Sequence, residues 1–153
     1  MISSDQIYKK NILDSIRNSK SIIWDFDGVI KDSVHIKGKA FETLFKDQSK
    51  TIKDRICRHH KANGGISRYK KIEKYLEWSS HDNDKKTLNF FANKFSNLVT
   101  EKVIQSKYIE GIHDFLKTNH KLQDFYLVTA TPEKEIYEIT KKLNIFDYFV
   151  KVL

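Results

Sequence analysis

One cysteine, one proline and five glycines are all that 153 residues contain of these three types. The lone Cys57 excludes an internal disulfide and agrees with a reducing compartment. So few prolines and glycines leave few helix breakers, and no low-complexity segment or internal repeat is present. No apolar stretch approaches the roughly 20 residues that span a bilayer, and residues 1–10 are polar without an apolar signal core, so no membrane contact and a cytoplasmic location are expected. Basic runs of five or more are also missing. The formal charge of +8 is spread over lysines interleaved with acidic and apolar residues, which reads as a solvated surface with diffuse attraction for small phosphorylated molecules, not as a nucleic-acid stripe.

What is there is a chain with 39% hydrophobic and 31% charged residues, the balance of a helix-rich globular protein. Its length suits one packed domain, or a compact core carrying a smaller inserted one. Tyr8, Ile12, Leu13 and Ile16 recur at helical spacing and predict an amphipathic helix over residues 5–18. Ser21-Ile22-Ile23-Trp24 follows as a short buried strand ending on Asp25-Phe26-Asp27-Gly28. From about 34 to 106 only helical periodicity is found, with Asn63-Gly64-Gly65 as its clearest break and Ser67 placed to cap the next helix. A helix over 109–118, a second strand Phe125-Tyr126-Leu127-Val128 and a helix opened by Thr131-Pro132-Glu133 come next. Tyr148 to Leu153 reads as a third strand.

Two carboxylates two residues apart, just beyond a buried strand, face one pocket if the backbone turns, and Gly28 permits the turn. One acid can serve as a nucleophile and the other as an acid/base, and the pair also suits Mg²⁺, which takes hard oxygen ligands. A calcium loop is the competing reading. It lacks its third acid, since Val29 stands in that place, and a strand precedes the motif where a helix would be needed.

The run Ile22-Ile23-Trp24-Asp25-Phe26-Asp27-Gly28-Val29-Ile30-Lys31-Asp32-Ser33 resembles the first signature of the haloacid dehalogenase superfamily, and Leu127-Val128-Thr129-Ala130-Thr131-Pro132 resembles the second. The likeness extends to the phosphoglycolate phosphatase and β-phosphoglucomutase subgroup with a helical cap. It implies an α/β fold, a Rossmann-like parallel-sheet core with an inserted α-helical cap: residues 1–33 bearing the nucleophile motif, 34–106 the cap, and 107–153 the second part of the core.

By that resemblance Asp25 is the nucleophile and a Mg²⁺ ligand. Asp27 serves the leaving group and then water, and ligates Mg²⁺ through its carbonyl. Thr129 and the Ala130 amide hold phosphoryl oxygens. Gly64-Gly65-Ile66-Ser67-Arg68 is similar to a substrate-reading cap segment, in which Arg68 would bind a distal anionic group; a solvent-facing arginine on a capped helix is the alternative. Cys57, His59 and His60 match no common zinc spacing and read as a surface helix, and Phe90, Phe91 and Phe95 as cap packing.

The implied activity is Mg²⁺-dependent hydrolysis of a small phosphate monoester, such as a sugar phosphate, through an aspartyl-phosphate. The family's third-motif lysine and fourth-motif acid normally follow the third strand, where this sequence ends, and Lys151 within that strand is not assigned to either role. The core is therefore expected to be incomplete, and a catalytically incompetent binding module is the alternative function. With the first strand at an open sheet edge, self-association through that edge is a further expectation.

Overall fold

The computed structural model describes residues 4–153, with side chains from residue 11 onward. The element order is α1 (Ser4–Asn18), β1 (Ser21–Trp24), α2 (Val34–Leu44), α3 (Lys50–Ala62), α4 (Arg68–Trp78), α5 (Lys85–Gln105), α6 (Ile112–Asn119), β2 (Asp124–Leu127), α7 (Glu133–Lys142), a 3₁₀ turn (Phe146–Tyr148) and β3 (Lys151–Val152). No described helix is long and apolar enough to cross a membrane.

The three strands are parallel in the order β1-β2-β3, with Trp24 opposite Leu127 and Leu127 opposite Val152. Parallel neighbours require crossovers, and here the first crossover carries five helices. The result is the expected α/β architecture, a small parallel sheet with a helical insertion.

Strand alternation decides which of the β1 side chains are covered. Trp24 is buried against Phe115 of α6 and Phe125 of β2, with ring centroids 5.7 and 5.5 Å away. Ile23, on the opposite face, is 73% exposed. Among the apolar residues of the first strand, exposure is thus confined to Ile23 and, in part, Ile22, and does not extend to Trp24. The amphipathic helix α1 forms, yet Ile12, Leu13 and Ile16 remain exposed. The expected inward position of Tyr8 lies outside the described side chains. Gln123 fastens the end of α1 to the sheet by donating to the carbonyls of Ile16 and Ser19, both at 2.7 Å.

The helical insertion has its own aromatic centre. Phe41 of α2 touches His60 of α3, Tyr75 of α4 and Phe95 of α5, at centroid distances of 5.0, 5.2 and 4.5 Å. The two chain segments that join insertion to sheet are tied together: the Asp32 amide donates to the Lys107 carbonyl and the Ile109 amide to the Ile30 carbonyl, at 2.9 and 3.0 Å. Lys31 is buried at that junction, its ammonium 3.1 Å from the Ile104 carbonyl and over the Tyr108 ring.

Three sequence expectations shift. The helix predicted from residue 109 starts at Ile112, after Gly111 at φ +75°, because the Ile109 amide is held by the Ile30 carbonyl in the junction beside the Lys31–Tyr108 bridge. The third strand shrinks to Lys151–Val152, since Phe146–Tyr148 form a 3₁₀ turn. Ser67 holds the N-cap position of α4 but accepts no hydrogen bond there.

Candidate active site

The chain leaves the sheet at Asp25, whose carboxylate is exposed and accepts a hydrogen bond from the Phe26 amide at 2.7 Å. Fully buried Phe26 and Ile30 anchor the loop that follows. The amides of Ile30 and Lys31 donate to the Phe26 carbonyl at 2.9 and 3.0 Å, and the Gly28 amide donates to the Lys31 carbonyl at 2.7 Å. Gly28 adopts φ +81°, and a Cβ there would stand 3.0 Å from Val34 Cγ2, so both backbone angle and space select glycine.

This loop delivers Asp27 to the first turn of α2. Ser33 Oγ donates to Asp27 Oδ1 at 2.6 Å, and Lys37 Nζ forms an ion pair with Asp27 Oδ2. The same ammonium donates to Thr131 Oγ1 at 2.9 Å, joining the first motif to the second. Thr131 is therefore a partner of Lys37 and not the cap of α7, which starts at Glu133 with Pro132 before it.

On the neighbouring strand, the Val128 amide donates to the Trp24 carbonyl at 2.8 Å, which sets the ends of β1 and β2 side by side. Thr129 Oγ1 accepts from the Thr131 amide at 3.2 Å. Asp25, Asp27, Thr129 and Ala130 consequently line one cleft of about 540 Å³ at the C-terminal ends of the strands, where ligands of open α/β sheets bind. Its other wall belongs to the helical insertion and includes Lys37, His60, Arg68 and Lys71. A groove of about 620 Å³ between α2 and α5, lined by residues such as Lys39 and Lys102, contains none of these groups.

Arg68 reaches the cleft wall but is only 6% exposed. Nη1 donates to Ser96 Oγ at 2.7 Å and to Glu135 Oε2 at 2.8 Å, while Nη2 donates to Glu135 Oε1. The guanidinium also lies 4.8 Å from the centre of the Phe95 ring. The side chain does not face solvent, and its fork is closed on a protein carboxylate.

His60 departs from the surface-helix reading. It is 8% exposed, and burial followed by the charge of Lys71 pushes its imidazole down to about 4. Being neutral, it can accept at Nδ1 from Lys71 Nζ, 3.3 Å away. Burial lowers Lys71 to about 8, with Lys37 adding to the effect and Asp27 opposing it. Cys57 is half-buried beside Glu42, and His59 Nδ1 meets the Tyr75 hydroxyl at 3.0 Å. Among the described residues no three His, Cys, Asp or Glu side chains gather at one point.

Lys37, His60, Lys71 and Glu135 are the site residues that sequence reasoning missed. Lys37 lies four residues after Ser33 and Lys71 three after Arg68, so helical spacing alone would have put each beside a singled-out position.

The description "haloacid dehalogenase-like hydrolase" belongs to a family model that matches residues 22–153. The chain belongs to that family. No curated protein matches this haloacid dehalogenase-like hydrolase. Among solved structures it is similar to β-phosphoglucomutase from Clostridium difficile, at 19% identity and TM-score 0.64, covering 88% of this chain and 60% of that one. It is also similar to YfnB from Bacillus subtilis, assigned as a HAD-hydrolase and bound to magnesium, at 17% identity and TM-score 0.62, covering 88% and 64%. A haloacid dehalogenase-like family protein from Streptococcus pneumoniae aligns at 18% identity and TM-score 0.59, covering 88% and 60%. The chain thus spans 60 to 64% of the length of these structures.

Proposed function

We propose that this cleft binds a small phosphate monoester and transfers its phosphoryl group to Asp25. An Asp25 oxygen attacks phosphorus, the ester P–O bond breaks, and the leaving alkoxide takes a proton from Asp27. Water then attacks phosphorus, gives a proton to Asp27, and the bond to Asp25 breaks, releasing inorganic phosphate. Thr129 and the Ala130 amide, at the end of the adjacent strand, hold phosphoryl oxygens, and Lys37 offsets the charge gathered at Asp27. The observation that carries this reading is the shared cleft, in which both aspartates and the second-motif threonine meet a cationic wall.

The donor set fits Mg²⁺. Two carboxylates are close in sequence, one of them exposed, and this ion is usually held by one or two carboxylates with substrate phosphate and water completing its shell. Asp25 and the Asp27 carbonyl would hold it, and the ion would supply charge neutralisation for the phosphoryl oxygens. We also read residues 34–106 as the cap and 1–33 with 107–153 as the core, a division supported by the hydrogen-bonded junction around residues 30–32 and 107–109.

The test is covalent labelling. Incubated with Mg²⁺ and acetyl phosphate, the protein is expected to gain a phosphoryl group seen by intact mass and removed by hydroxylamine, and Asp25→Asn is expected to gain none. Labelling that survives in Asp25→Asn would overturn the mechanism. Phosphate binding without any labelling would favour the binding-module reading.

A further inference from the structure

Lys71 is 3% exposed, and its ammonium has only the His60 ring nitrogen at 3.3 Å and the Gly64 carbonyl at 3.5 Å as partners. Among the described residues no carboxylate lies within ion-pair distance of it. Buried ammonium groups are rare unless a counter-charge accompanies them. The other buried Lys and Arg side chains among the described residues are provided for elsewhere. Arg68 has Glu135, while Lys31 sits over the Tyr108 ring beside a carbonyl, away from the cleft. Lys71 alone of these three faces the cleft without a fixed acid or an aromatic face.

We propose that Lys71, backed by His60, receives a second anionic group of the ligand, so that the cleft takes a phosphate ester that also carries a carboxylate or another phosphate. This rests on the phosphatase reading of Asp25 and deepens it by naming the substrate class. The cap arginine singled out in the sequence is the weaker candidate for this role, because its charge is already matched by Glu135 and three of its N–H donors go to Glu135 and Ser96. One helical turn further along α4, Lys71 has two neutral partners at 3.3 and 3.5 Å and no counter-charge.

The surroundings suit an anion. His60 is held neutral by burial and by Lys71 itself, so it orients the ammonium without adding a competing charge. Gly64 and Gly65 border the same cleft, and a Cβ on either would meet nothing within 4 Å, which leaves open space beside Lys71. Phosphate held by Thr129 and Ala130 at one end and an anion held by Lys71 at the other would span the cleft between sheet and insertion.

The experiment compares matched ligands by titration calorimetry with the full chain and Mg²⁺. 3-Phosphoglycerate and glycerol 3-phosphate differ only in a terminal carboxylate against a hydroxymethyl group, and 6-phosphogluconate and glucitol 6-phosphate repeat the contrast over six carbons. In at least one pair the carboxylate-ended ligand is expected to bind at least about tenfold more tightly, and Lys71→Met is expected to abolish that preference by weakening the carboxylate-ended ligand at least about tenfold more than its neutral-ended partner. Lys71→Arg, which keeps the charge, is expected to retain part of it and guards against a folding defect in Lys71→Met. Equal binding within both pairs, or a preference that survives Lys71→Met, would overturn the Lys71 site alone. Failure of all four ligands to bind would overturn it together with the phosphate site on which it depends.

Discussion

Arg68 of α4 and Glu135 of α7 form a buried, two-pronged ion pair that fastens the helical insertion to the helix following the second strand. The pair joins residues 67 apart in sequence and is completed by Ser96 of α5. Removing only the acid leaves a buried guanidinium without its counter-charge. Glu135→Ala is expected to destabilise the fold by about 3–5 kcal/mol, whereas the double change Arg68→Met with Glu135→Leu is expected to recover most of that loss. Urea unfolding of the three proteins checks both statements, and a small effect of Glu135→Ala would show the pair to be dispensable.

Lys37 links the two motifs by contacting Asp27 and Thr131 at once. Its removal frees the Asp27 carboxylate to rotate and leaves its charge uncompensated. Lys37→Met is expected to lower the rate of phosphoryl release by about ten- to a hundredfold with little change in melting temperature. Single-turnover assays on the labelled protein measure this directly, and an unchanged rate would remove Lys37 from the site.

His60 makes stability depend on pH. Its folded-state value, about 4, lies below the ordinary histidine value near 6.5, so the unfolded chain binds the extra proton first. The contribution is fully present above pH 6.5 and is lost as pH falls towards 4, by about 3 kcal/mol in all. His60→Gln is expected to flatten the denaturation free energy across that window relative to the parent protein. Parallel slopes for the two proteins would show that His60 carries no such penalty.

Much of this site was legible in the sequence because its signals are local. An apolar run that ends on Asp25-Phe26-Asp27-Gly28 announces a strand, a turn and two acids together, and Leu127-Val128-Thr129 repeats the strand end. Lys37, His60 and Lys71 look like ordinary members of polar helices until α2, α3 and α4 pack around Phe41 and turn them towards Asp27. Glu135 was visible only as an acid in the first turn of a helix, because its partner lies 67 residues away. The third strand was overextended for a different reason. A run such as Tyr148-Phe149-Val150 is apolar in a turn that packs on a core as well as in a strand, and composition does not separate the two.

Among the described residues β1 pairs with β2 on one side only, and its Ile23 is exposed, as are Ile12, Leu13 and Ile16 of α1. We propose that copies of the chain associate through this edge, as exposed apolar strands do. Sedimentation equilibrium is expected to show a mass that rises with concentration, and Ile23→Lys is expected to reduce it. A concentration-independent monomer would set the idea aside.

Ser33 and Lys37, the two side chains that grip Asp27, are the N-cap and a first-turn residue of the same helix whose Phe41 is embedded in the aromatic centre of the insertion. In the proposed mechanism, lid and acid/base are therefore one mechanical part. Any separation of α2 from the sheet would withdraw a hydrogen bond and a counter-charge from Asp27 in a single motion, so water admitted to an open cleft would meet a general base stripped of its alignment.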